Sequence, residues 1–197
     1  MFYIKYDHKS IPYQLKQNLI QAAYTQAGTG PEYNNYGWFN TTDKDDLSYI
    51  PSIEMFEQKY GNSGDVSFLQ IPDDLLDELT KFYGDNPFFT NGYFALQLNY
   101  NINTFPPHID VHRTITRMYI LQPGGDNAVT SWFSPLDEFK HLEYNYPVNF
   151  IDYDRLSRVH STVLDADCWY DLTVSKIHGV ENLTDHRISI VFVMPSQ

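Results

Sequence analysis

The sequence predicts a mainly-β fold, a sandwich or jelly roll of about eight strands, with helices upstream that support it. Three observations carry this expectation. From Tyr93 onward β-branched and aromatic residues become frequent, and the punctuation changes to Pro106-Pro107, Gly124-Gly125 and Asn-rich turns. Before that point apolar residues recur at helical spacing between capping and breaking residues. The chain is also 197 residues long and 42% hydrophobic, enough for one domain with a sizeable core.

Taken in order, Phe2 to Tyr6 reads as a short strand. Ser10 and Pro12 fit an N-cap and first turn, opening a helix that runs to Ala27. Leu15, Leu19, Ala22 and Ala23 give it one apolar face, and Gly28 is placed to end it. Residues 28–47 read as a long loop that carries Tyr33, Tyr36, Trp38 and Phe39, then Asp43, Asp45 and Asp46. A connection of that length is either a functional lid or a plug on the flank of the fold. Ser52 to Tyr60 reads as a short helix ending at Gly61, and Asp65 to Ile71 alternates as a strand. Pro72-Asp73-Asp74 then opens a helix with Leu75, Leu76, Leu79 and Phe82 on its apolar side. Strands are expected at 93–100, 108–121, 128–133, 147–153, 158–164, 168–174, 176–181 and 186–194. Gly124-Gly125-Asp126-Asn127 supplies a hairpin turn. With no repeat or linker to divide it, the chain reads as one domain over 1–197. Residues 1–90 read as helical support with the candidate lid, and 91–197 as the β core.

The formal net charge of −12, from 13 basic and 25 acidic residues, would repel a phosphate backbone, so nucleic acid is a poor partner. A small molecule or a peptide is easier to accommodate. A single cysteine, Cys168, allows no internal disulfide, which agrees with a reducing cytoplasm. The N-terminal residues hold no long apolar run, and no segment is apolar over the length a membrane span needs. The expectation is therefore a cytoplasmic protein with no membrane partner.

The chemistry gathers around Pro106-Pro107-His108-Ile109-Asp110. Two residues apart on an extended strand, His108 and Asp110 point to one face. Far along the chain, Ile177-His178-Gly179-Val180 offers a second imidazole. Two imidazoles and one carboxylate make a facial donor set that leaves other metal positions open, the arrangement that suits non-heme Fe(II) oxygenases. Arg187 stands nine residues after His178, and Ser189 shares its strand face. A guanidinium fork beside a hydroxyl suits a carboxylate. The chain has five arginines, so two in meaningful places, Arg117 and Arg187, carry more weight than they would in a basic protein.

This order, His-x-Asp, distal His, Arg-x-Ser, resembles the Fe(II)/2-oxoglutarate-dependent oxygenases, with the likeness running from Tyr93 to Met194. The run from His178 to Ser189 is similar to that family's final hairpin. The resemblance implies a double-stranded β-helix, that is, a jelly-roll, cupin-like barrel. It implies that His108, Asp110 and His178 hold Fe(II), and that Arg187 and Ser189 hold the distal carboxylate of the cosubstrate 2-oxoglutarate. The nearest branches are the aspartyl/asparaginyl β-hydroxylases and the prolyl hydroxylase-like enzymes. The first of these places an Arg nine positions after its first metal His, as Arg117 stands after His108. This chain keeps Asp110, which the best-studied members of that branch lack. The implied reaction is hydroxylation of an amino acid or a peptide side chain, with release of succinate and CO₂. Two other classes stay open: a non-catalytic cupin-like binding barrel, and a metalloenzyme that does not use 2-oxoglutarate.

Other polar residues have two readings each. Arg117 either reaches the cosubstrate or a substrate carboxylate, or pairs with an acid at the rim. Gln97, Asn99 and Tyr119 either hydrogen-bond the cosubstrate or are satisfied core groups. His112 follows His108 at a helical zinc spacing, but its β-branched neighbours argue for a strand. His8, His141 and His160 have no evident partner in the sequence, and Cys168 reads as a small core residue.

Overall fold

Helical spacing of apolar side chains produces both helices described in the computed structural model, which describes residues 1–26, 66–99, 103–110, 113–137 and 151–194. Helix α1 (Tyr13–Gln26) buries Leu15, Leu19 and Ala23. Helix α2 (Asp73–Tyr83) buries Leu75 and Leu79, and it carries Asp73 and Asp74 in its first turn and Lys81 in its last. These charges complement the helix dipole. Ser10 does not cap α1 as expected. Its hydroxyl donates to the Asp167 carbonyl, and the first helical bond runs from Lys16 N–H to Pro12 O.

Ten strands are formed among the described residues: β1 (Tyr3–Tyr6), β2 (Val66–Leu69), β3 (Tyr93–Asn99), β4 (Asn103–His108), β5 (Ile115–Pro123), β6 (Val129–Pro135), β7 (Leu156–Val163), β8 (Trp169–Thr173), β9 (His178–Leu183) and β10 (Arg187–Val193). They form a six-stranded sheet in the order β1-β8-β5-β10-β3-β2 and a four-stranded sheet in the order β4-β9-β6-β7. All pairings are antiparallel. No strand pairing joins the two sheets among the described residues, so they form a sandwich and not the closed barrel that was expected.

Each face of the large sheet has its own core. Strand β10 lies between β5 and β3 and is buried on both sides, which explains its nearly unbroken apolar run. Outward, Ile188, Ile190 and Phe192 pack with Leu96, Leu98, Tyr119 and Trp169 against α1 and α2. Inward, Val191 packs with Met118, Ile120, Tyr170 and Leu172 against Trp132 of the small sheet. Full burial of a Leu, Ile or Phe side chain contributes roughly 1.5–3 kcal/mol, so the helices are structural supports of the sheet. Trp169 Nε1 also donates to Tyr83 Oη at 2.8 Å, latching α2 onto β8. Neither described helix is long and apolar enough to cross a membrane.

Two expected strands differ. The stretch 108–121 is broken, because β4 ends at His108 and β5 begins at Ile115. Of 147–153, the described part is not a strand: Asp152 accepts a hydrogen bond from the Asp154 N–H and caps a 3-10 turn over Tyr153–Arg155. The loop at 28–47, the helix at 52–60, and residues 147–150, His112 and His141 lie outside the described residues.

Candidate metal centre

The sequence brings β4 and β9 together at one point through a glycine. A Cβ on Gly179 would stand 2.9 Å from Phe105 O and 3.1 Å from Pro107 N, so only glycine lets the Pro106-Pro107 backbone lie this close to β9. At that crossing His108 pairs with His178, their ring centroids 4.3 Å apart. Asp110 follows two residues beyond the end of β4. Its N–H donates to Val174 O at 3.1 Å, which ties it to the end of β8. Ligand atoms of His108, Asp110 and His178 all lie within 4.8 Å of one another, a grouping that could hold a metal ion.

The proton positions suit that role. His108 Nδ1 is 2.8 Å from Pro106 O, and His178 Nδ1 is 2.9 Å from Lys176 O. A carbonyl oxygen can only accept, so each Nδ1 carries the proton and each Nε2 is left with its lone pair. Both rings are therefore in the tautomer that binds metal through Nε2. Burial, reinforced by the neighbouring His108, pulls the His178 pKa down to about 4, so its ring is neutral at ordinary pH. Burial alone would raise the Asp110 pKa, but the adjoining His108, with His178 and the Arg113 guanidinium, holds it well below the carboxylate range. Its Oδ1 lies 3.4 Å from His108 Nε2. Its Oδ2 accepts from Arg113 Nη2 at 2.8 Å and lies 3.5 Å from the Thr116 hydroxyl.

Arg187 opens β10 and is only 7% exposed. It shares the inward face with Ser189, which is also buried. Arg187 Nη1 donates to Thr130 Oγ1 of β6 at 3.0 Å, and no carboxylate pairs with Arg187 among the described residues. Burial pulls its pKa down to about 10, so it stays ionised at neutral pH. Gln97 pairs with Ser189 across β3 and β10 and is half-buried on the same face. Asn99 pairs with Arg187 and is buried there too.

Arg117 and Tyr119 stand elsewhere. Both sit on the helix-bearing face of β5, opposite Phe192 and Ile190. Arg117 makes a two-pronged pair with Asp171, Nε to Oδ1 at 2.8 Å and Nη2 to Oδ2 at 2.9 Å, and stacks over Phe88. Tyr119 Oη accepts from Ile11 N–H and donates to Asp167. The structure thus brings together His108, Asp110 and His178 and, on the inward face, Arg187 and Ser189, but not Arg117. Sequence reading missed Arg113, Thr116 and Thr130. A cation three residues after Asp110 was the available signal for Arg113.

No family model matches the sequence, and no curated protein matches it. Solved structures similar to this chain include a prolyl-4-hydroxylase from Pseudomonas putida, at 12% identity and TM-score 0.46, covering 98% of this chain and 92% of that one. Another is a Trichoplax adhaerens prolyl hydroxylase in complex with a hypoxia inducible factor oxygen degradation domain peptide fragment. It has 10% identity and TM-score 0.47, covering 96% of this chain and 81% of that one. A third is an L-ribose isomerase from Acinetobacter sp. DL28, at 10% identity and TM-score 0.34, covering 96% and 84%. These TM-scores all lie below 0.5, so the functional reading rests on the side chains of this chain.

Proposed function

We propose that the chain is a cytoplasmic Fe(II)- and 2-oxoglutarate-dependent dioxygenase that hydroxylates an amino acid or a peptide side chain. The observation that carries this reading is the donor set itself: two Nε2 lone pairs and one ionised carboxylate, converging where β4 meets β9. Two nitrogens and one oxygen on one side of an ion suit Fe(II) with open positions better than a closed zinc site. The two-sheet sandwich is read as a double-stranded β-helix.

Arg187 supports the cosubstrate assignment. A buried guanidinium without a carboxylate partner is costly, and an incoming carboxylate would relieve that cost. Arg187, with Thr130 and Ser189 beside it, would hold the distal carboxylate of 2-oxoglutarate. Arg117 is left out of this set, because Asp171 already satisfies it. Fe(II) held by these residues, with 2-oxoglutarate and O₂, would supply the oxidation that yields succinate, CO₂ and a hydroxylated product. The protein positions these groups, keeps both imidazoles in one tautomer and excludes water.

His108→Ala and His178→Ala test the assignment. Each should abolish stoichiometric Fe(II) binding while circular dichroism shows the fold retained. Full metal occupancy in both would remove the proposed centre.

A further inference from the structure

We propose that Arg113 is a positioning residue that restricts Asp110 to one-oxygen ligation, an inference that rests on the metal centre proposed above. Asp110 presents two chemically equal oxygens, and the fold treats them differently. Oδ1 lies 3.4 Å from His108 Nε2, inside the donor cluster. Oδ2 is taken by Arg113 Nη2 at 2.8 Å, with the Thr116 hydroxyl at the 3.5 Å limit of a hydrogen bond. The Asp110 side chain is 13% exposed and that of Arg113 is 35% exposed, so the pair sits at the edge of the site and partly out of water. A charge-assisted bond of this length is about twice as strong as a neutral one.

The backbone fixes this geometry. Val174, just past the end of β8, accepts from the Asp110 N–H at 3.1 Å and donates to Thr114 O at 3.0 Å. Residues on both sides of the stretch between β4 and β5 are thus pinned to one residue, and the Arg113 guanidinium reaches Asp110. The Arg113 guanidinium is also flanked by the Phe68 ring, 5.7 Å from its centroid.

Counting coordination positions shows why this matters. Three protein donors occupy half of an octahedral ion. A keto acid chelating a metal held there would use two of the remaining positions, leaving one open. If Asp110 rotated and chelated through both oxygens, it would take one of those positions and compete with the cosubstrate. By keeping Oδ2 engaged, Arg113 opposes that rotation. Its effect therefore falls on the number of open positions more than on whether metal binds at all.

Infrared difference spectra, metal-loaded minus metal-free, with ¹³C-labelled aspartate test this directly. Mn(II) is the probe ion and oxygen is excluded. One-oxygen ligation separates the asymmetric and symmetric carboxylate stretches widely, and chelation narrows the gap. Wild type should show the wide separation, and Arg113→Ala the narrow one. Arg113→Lys, which keeps one cationic donor, should restore much of the wide separation. In parallel, the affinity of Mn(II)-loaded Arg113→Ala for 2-oxoglutarate should fall by about 10–100-fold, the size of effect that outer-shell partners have. Should Arg113→Ala fail to fold, Arg113→Gln, with a neutral donor of shorter reach, should give the same narrowing. A wild type that already chelates, or variants with an unchanged separation, would overturn the role of Arg113 and leave the metal centre standing. A wild type that binds no metal would overturn both.

Discussion

Arg187→Leu should improve stability while removing cosubstrate binding. In the absence of ligand, Arg187 is a buried cation whose side chain, among the described residues, donates to the Thr130 hydroxyl and pairs with no carboxylate. Burial pulls its pKa down from the ordinary arginine value to about 10. At about 1.4 kcal/mol for each tenfold, that corresponds to roughly 3 kcal/mol of desolvation that no anion among the described residues offsets. Leucine removes this cost, while Thr130 loses a donor worth about 1 kcal/mol. The net gain is about 2 kcal/mol, or roughly 4–8 °C in Tm for a chain of this size. Against this, 2-oxoglutarate binding should weaken by about 2–5 kcal/mol, because the carboxylate would enter a buried site without its partner. Thermal denaturation with and without 2-oxoglutarate reads both effects. Wild type should be stabilised by the ligand, whereas the variant should start higher and not respond. A variant that melts lower than wild type and still responds to the ligand would refute the reasoning.

Three further outcomes follow from the geometry. In the metal-free protein, His178 has its pKa lowered to about 4 from 6.5, so the unfolded state takes up the proton first. Stability should be fully present above pH 6.5 and fall by about 3 kcal/mol as pH drops toward 4, a slope that His178→Gln should remove in denaturant titrations. Gly179→Ala should cost about 1–3 kcal/mol by overpacking against the β4 backbone, and metal affinity should drop with it in a calorimetric titration. Arg117→Met should cost about 3–5 kcal/mol in chemical denaturation by leaving the buried Asp171 with no cation and only the Tyr6 hydroxyl as a side-chain donor among the described residues, while metal affinity in the folded fraction stays unchanged.

Much of this architecture was legible in the sequence, because period-two alternation and helical spacing respond directly to burial. Strands β3, β6, β7, β8, β9 and β10 and both described helices fall close to their expected places. The His108/Asp110 pair was found for a reason that holds only in part. Asp110 lies past the strand end and is aimed by its hydrogen bond to Val174 as well as by pleat. Arg117 shows what sequence spacing leaves out. A count of nine from His108 says nothing about the face it occupies once the chain breaks between β4 and β5. Within β5, Thr116, Met118 and Ile120 turn inward and Arg117 and Tyr119 turn outward. Arg113 was missed because it lies between the end of β4 and the start of β5, where no strand periodicity sets which side chain it meets.

The central claim is that one metal ion and 2-oxoglutarate share this site. Anaerobic addition of Fe(II) and then 2-oxoglutarate, followed by visible absorption, tests it most directly. The account predicts a weak charge-transfer band that saturates at one equivalent of iron, is lost in His178→Ala, and requires far more 2-oxoglutarate in Arg187→Leu. Iron that binds without producing any band in wild type would contradict it.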